Sequence, residues 1–230
     1  MNSIPRSEHP KPQFRRDSWM NLNGQWAFEI DNGRSGKARG LSAADAQLSG
    51  QILVPFCPQS ELSGVNHKDF LSGVWYRRTV TLTKEQLSGR VALHFGAVDY
   101  RCEAFVNGVS VGTHTGGYVS FCFDVTEAVR EGENVLTVYA EDDERDPLIP
   151  RGKQSELFYS HGCDYTRTTG IWQTVWLEFL PETHIEKIKI FPSVETGSFD
   201  VEALLKGAGT LAVEASYEGR PMGAASVKAD

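Results

Sequence analysis

The residues best placed to do chemistry gather in one polar stretch, Asp164-Tyr165-Thr166-Arg167-Thr168-Thr169-Gly170. It lies in the run from Cys163 to Glu178. It feeds directly into Ile171-Trp172-Gln173-Thr174-Val175-Trp176-Leu177, which reads as a strand because it is rich in aromatic and β-branched residues. A polar loop running straight into a buried strand can hold a ligand group rigidly. Two connections are longer than packing requires, from Phe56 to Gly73 and from Glu141 to Gly170. Loops of that length in a compact domain are usually functional or disordered. The second carries charges of both signs, among them Asp142, Asp143, Glu144, Arg145, Asp146, Arg151 and Lys153, beside Gln154. That mixture predicts order through ion pairs. It suits a ligand or interface site as well as a solvated loop covering a sheet edge.

Other chemistry finds less support. The histidines are His9, His67, His94, His114, His161 and His184, and none stands in an HExxH spacing. His67 and His161 lie in the two long loops, where surface positions are expected. Cys57, Cys102, Cys122 and Cys163 are widely spaced with no CxxC pair, so the expectation is free thiols in a cytoplasmic protein rather than zinc ligands. Gly112, Gly116 and Gly117 precede no helix and read as hairpin glycines, not as a phosphate cradle. No metal or cofactor is expected. The tryptophans Trp19, Trp26, Trp75, Trp172 and Trp176 could stack on sugar rings. Trp75, Trp172 and Trp176 fall inside strand patterns, which predicts packing instead. Trp172 and Trp176 share a parity with Thr174, opposite Val175 and Leu177.

The elements that must position these residues are strands. Val91–Phe95, Arg101–Val106, Tyr118–Val125 and Val135–Ala140 are short runs between turn signals, and Asn107-Gly108 is a tight hairpin turn. No segment sustains a helical period, so a β-sandwich is expected. A second unit starts near Glu182. In it Val201, Ala203 and Leu205, then Leu211, Val213 and Ala215, alternate with other residues at period two. It is too short for an immunoglobulin-type sandwich of about 100 residues. The ending Ser226–Asp230 carries no stop signal, so a longer protein is expected.

The chain has 230 residues, is 40% hydrophobic and carries a formal charge of −7. That charge argues against nucleic acid or an anionic membrane as partner, and is compatible with a neutral ligand such as a sugar. No stretch reaches about 18 apolar residues, so no membrane span is expected. Residues 1–20 hold no apolar run that would read as a secretory signal.

Several segments in order resemble family 2 glycoside hydrolases of the β-galactosidase, β-glucuronidase and β-mannosidase types. They are Leu22-Asn23-Gly24-Gln25-Trp26-Ala27-Phe28, Val54–Ser60, Gly73–Thr79, Val106-Asn107-Gly108 with Val111–Tyr118, Arg151–Gln154, and Thr169–Glu178. The resemblance implies an all-β fold. A jelly-roll sugar-binding sandwich over residues 1–182 would be followed by a partial immunoglobulin-like sandwich over 183–230. It further implies that Asp164 contacts sugar hydroxyls, which an ionised carboxylate can accept in a bidentate way. Tyr165, Arg167, Arg151, Lys153 and Gln154 are the other substrate-binding candidates, equally explained as packing against a neighbouring domain. The acid and nucleophile of such enzymes are two glutamates on a (β/α)8 barrel of about 250 residues, which too few residues remain to encode. The expected reading is a non-catalytic N-terminal part of a glycosidase. Its partners would be a terminal β-glycoside and the missing barrel, with room for a homo-oligomer. A stand-alone carbohydrate-binding module and a purely structural sandwich are the alternatives.

Overall fold

The computed structural model describes residues 4–143 and 145–229, so Glu144 of the long loop and the terminal Asp230 lie outside it. Close packing divides the chain into two units, Met1–Phe179 and Leu180–Asp230.

The first unit contains two facing sheets. One has four strands, β1 (Trp19–Asn21), β5 (Arg90–Phe95), β9 (Phe121–Asp124) and β12 (Val175–Leu180), in the order β1-β12-β5-β9. The other has six: β2 (Gly24–Ile30), β3 (Gly50–Val54), β4 (Gly73–Leu82), β7 (Arg101–Val106), β8 (Val109–Thr115) and β10 (Gly132–Glu141). Their order is β3-β2-β4-β10-β7-β8, antiparallel throughout. A short ladder joins β6 (Val98–Asp99) to β11 (Gly170–Ile171).

Period-two alternation builds the core between the sheets. Trp26, Phe28, Tyr76, Leu136 and Val138 from the larger sheet meet Leu93, Phe95, Val175 and Leu177 from the smaller one. Alternation also explains a second cluster. Trp75 points away from Tyr76, to the outer face of the six-stranded sheet, where it stacks on Tyr139 at 4.4 Å beneath Leu41. Arg77 on the same face donates to the carbonyls of Leu41, Ala43 and Ala44 and pins the covering loop.

The outer face of the smaller sheet is covered by the segment before β1. Trp176 stacks on His94 at 4.7 Å, and His9 packs edge-on against Trp19 at 4.6 Å. Arg16 Nε donates to Glu178 at 2.9 Å.

Two strand expectations need correction. Ile171–Leu177 is not one strand: β11 ends at Ile171 and β12 starts at Val175. Gly96 N–H donates to the Thr174 carbonyl at 2.8 Å, and the Gln173 side chain packs directly on Gly96, so Trp172–Thr174 form a bend. Trp172 is therefore half-buried outside the ladder, whereas Trp75 and Trp176 are fully buried. The second correction is Tyr118–Val125, of which only Phe121–Asp124 is strand.

The second unit consists of two antiparallel hairpins. The first joins β13 (His184–Ser193) to β14 (Ser198–Lys206), and the other joins β15 (Gly209–Tyr217) to β16 (Arg220–Ala229). Val201, Ala203, Leu205, Leu211, Val213 and Ala215 are the half-buried residues of the predicted alternation. The regular secondary structure of the described residues is thus almost entirely β, with three short 3₁₀ turns and no α-helix.

Candidate functional site

The two long loops come together. Gln59 exchanges two hydrogen bonds with Thr169: its Nε2 donates to Oγ1 at 2.9 Å and its Oε1 accepts from the Thr169 N–H at 3.2 Å. Phe70 from the first loop lies edge-on to Phe158 of the second at 5.1 Å. The guanidinium carbons of Arg145 and Arg167 sit 3.7 and 4.2 Å from the Phe70 ring centroid. Cations attracted to an aromatic face hold these loops without needing a continuous ladder.

Within the second loop, residues 153–155 run beside residue 165. Tyr165 N–H donates to the Lys153 carbonyl at 2.7 Å, and Ser155 N–H donates to the Tyr165 carbonyl at 2.8 Å. Gln154 is buried at the centre. Its Nε2 donates to Asp99 Oδ2 at 2.7 Å and to Tyr118 Oη at 3.2 Å, and its Oε1 accepts from the Thr168 N–H at 2.5 Å. Tyr118 Oη donates to the Arg151 carbonyl at 2.7 Å, and burial pushes this phenol upward from its usual pKa. Gly117 is required by close approach: a Cβ there would lie 2.2 Å from Asp99 Oδ1. It is not simply a hairpin glycine.

The six sequence-predicted residues therefore separate by role. Arg167 is 1% exposed. It donates to the carbonyls of Ser155, Leu157 and Lys68, a brace between the loops with no free face for a ligand. Gln154 is an internal tie of the same kind. Arg151 reaches the surface and pairs with Glu156 at 2.9 Å. Lys153 and Tyr165 are exposed, and Tyr165 presents 63% of its surface.

Asp164 closes a tight turn with His161, exchanging backbone hydrogen bonds of 2.8 and 3.1 Å across Gly162. Its side chain is 26% exposed, with Oδ2 3.8 Å from His161 Nε2. Glu156, His161 and Asp164 bring one donor atom each within 4.8 Å of one another, a juxtaposition that sequence spacing did not disclose. The Arg151 guanidinium already faces that cluster through Glu156, which disfavours a second cation there. The Glu156 carboxyl is held below its usual range, first by its own backbone N–H and then by the Arg151 charge.

Ser155 Oγ is 3.1 Å from His161 Nδ1, the spacing of a nucleophile beside a base. Ser155 is completely buried, and its hydroxyl is held between the Tyr159 carbonyl at 2.8 Å and the Leu157 N–H at 3.1 Å. That hydroxyl shapes a turn and cannot meet a substrate. Asp99, Tyr118, Glu156 and Gln59 escaped sequence reasoning. Gln59 and Tyr118 fall in family-like segments with no role attached to them, and the reason for the Gly116-Gly117 pair is tertiary.

An ordered polar loop on a two-layer β-sandwich, with the Ser155–His161 contact sealed from solvent, has the form of a binding domain. The chain matches the family described as glycosyl hydrolases family 2, sugar binding domain, over residues 19–181, and it belongs to that family. It is 27% identical over 184 residues to a putative β-glucuronidase of Formosa agariphila, covering 80% of this chain and 21% of that protein. To a β-galactosidase of Thermoanaerobacter pseudethanolicus it is 33% identical over 123 residues, 53% of this chain and 16% of that one. To the Felis catus β-glucuronidase it is 28% identical, covering 81% of this chain and 32% of that protein. The apo structure of β-glucuronidase from Ruminococcus gnavus superposes with a TM-score of 0.76 at 20% identity, over 94% of this chain and 38% of that one. The fold is thus the β-sandwich of such proteins, and the chain spans less than a third of the curated relatives it matches. These 230 residues hold the sugar-binding domain and not the catalytic barrel, since no α-helix occurs among the described residues. Nor is any helix there long and apolar enough to cross a membrane.

Proposed function

We propose that this chain is the non-catalytic, N-terminal sugar-binding part of a longer retaining β-glycosidase, and that Asp164 contributes one hydroxyl contact to that enzyme's pocket. The observation that carries the reading is the Asp164 turn. Its carboxylate is partly exposed on a loop fixed by Arg167, Gln154 and Gln59, so its position is set before a ligand arrives. Tyr165 and Lys153 are the exposed neighbours that would border the same sugar, and Arg151 steers Glu156. Arg167 and Gln154 act by holding the loop. The barrel is the proposed covalent partner, supplying acid and nucleophile; self-association is compatible with this role. A reducing, cytoplasmic setting belongs to this reading, with the four widely spaced cysteines as free thiols.

The test is the reading frame beyond Asp230 and the kinetics of its product. The expected result is a barrel bearing two glutamates, in which Asp164→Ala lowers kcat/KM on an aryl β-glycoside by roughly 10- to 100-fold. Unchanged kinetics would remove Asp164 from the pocket. A frame without a barrel would favour the stand-alone module.

A further inference from the structure

A second concave site lies in the first unit, joined to the same loop through Tyr118 and Gln154 but with its own lining. It is a cavity of about 670 Å³ lined among others by Trp172, Tyr118, Phe56, Gln173, Lys11 and Glu8. Asp164 is not among its lining residues. Pockets of roughly 300–1,000 Å³ that combine aromatic walls with a few polar groups are the usual form of a small-ligand site.

Its aromatic wall is rigid for identifiable reasons. The bend at Trp172–Thr174 takes Trp172 out of the strand ladder. Its indole Nε1–H then donates to the Gly117 carbonyl at 2.8 Å, and Tyr118 packs edge-on against it at 6.0 Å. Tyr118 is itself fixed by Arg151 and Gln154. The indole thus stays half-buried in one orientation, facing a cavity rather than the core.

Charge completes the pattern. Arg6 and Glu8 pair with each other at 2.6 Å on the cavity wall. Lys11 is drawn toward the Trp176 ring, 5.7 Å from its centroid, and no ion pair with a carboxylate occurs for it among the described residues. One positive charge is left over at this wall of a chain whose net charge is −7. Gln173 and Ser120 add exposed hydrogen-bonding groups.

We propose that this cavity is a second saccharide site, taking a carboxylate-bearing pyranose. The apolar CH face of the ring packs on the Trp172 indole, its carboxylate meets Lys11, and its hydroxyls meet Gln173 and Glu8. The inference rests on the reading of the chain as a carbohydrate-binding domain, but not on Asp164.

The experiment is ¹⁵N NMR of the 230-residue chain, titrated with the disaccharide of glucuronate β-linked to glucose and, separately, with neutral cellobiose. Trp172→Phe assigns the Trp172 indole resonance. The acidic disaccharide is expected to shift that resonance at lower concentration than cellobiose. Lys11→Ala should remove the preference, and Trp172→Ala, followed through the backbone amides of Gly117 and Gln173, should weaken binding by roughly tenfold or more. Asp164→Ala should leave the Trp172 titration unchanged. Thermal unfolding checks each variant, and Gln173→Ala, at an exposed side chain, serves if Trp172→Ala does not fold. A silent Trp172 indole, or binding that survives Trp172→Ala, overturns the proposal. So does binding lost on Asp164→Ala alone, which would instead favour the first site. Failure here leaves the kinetic test of Asp164 untouched, so the two readings fall separately.

Discussion

Gln154 Nε2 donates to Asp99 Oδ2 at 2.7 Å, joining the long loop to the β6 strand across 55 residues of sequence. Both side chains are buried, and the other end of the Gln154 amide accepts the Thr168 N–H. One glutamine thus satisfies a buried carboxylate and a loop amide at once. Gln154→Ala removes one hydrogen bond from each and should cost about 1–3 kcal/mol, read from the denaturant midpoint. A variant with unchanged stability would show that water replaces the amide there.

Arg167 fixes the same loop from the other side. Its three carbonyl partners lie on two loops, so Arg167→Ala should cost about 1.5–3 kcal/mol and lower Tm by several degrees in calorimetry. Arg167→Lys should recover only part of this, because an ammonium lacks the planar fork that reaches all three acceptors.

Gly170 has φ +73°, and a Cβ there would lie 2.2 Å from Tyr76 Oη. Gly170→Ala therefore combines backbone strain with a clash and should cost more than about 1 kcal/mol. The effects of Gly170→Ala and Tyr76→Phe should not add, since deleting the hydroxyl relieves the contact. A double-mutant cycle in urea checks the coupling.

Glu178 is 4% exposed at its side chain, beside His94, His9 and Arg16. Burial alone would raise its pKa from 4.5, but hydrogen bonds and charge from His94, with Trp176 and Arg16, bring it down to about 2. A carboxyl depressed in the folded state contributes stability that is fully present above pH 4.5 and is lost as pH falls toward 2. The loss should be roughly 3 kcal/mol. Glu178→Gln should flatten that limb of the stability–pH curve. A limb of equal steepness in the variant would assign the acid sensitivity elsewhere.

Much of the fold was legible in the sequence because a sheet writes itself at period two. The strand pattern around Trp75 predicted packing, and the alternation in Val201–Leu205 marks one face of a hairpin. Asn107-Gly108 marked its turn by the positive φ both residues adopt. The family was legible too, since its short segments fall at loops and strand starts that the fold holds in place. The bend that frees Trp172 from its strand was not legible. Its cause is a hydrogen bond from Gly96, 78 residues away from Thr174, and local composition carries no trace of such a partner.

The same limit applies to the candidate residues. Sequence alone determined that Asp164, Tyr165, Arg167, Arg151, Lys153 and Gln154 sit on one polar loop. It could not tell a guanidinium facing a ligand from one turned inward onto three carbonyls. Only the tertiary structure decided that Arg167 and Gln154 are braces while Asp164, Lys153 and Tyr165 reach solvent. Burial and hydrogen-bond partners at this loop come from Lys68, Asp99 and Thr168, and only folding brings Lys68 and Asp99, distant in the chain, into place.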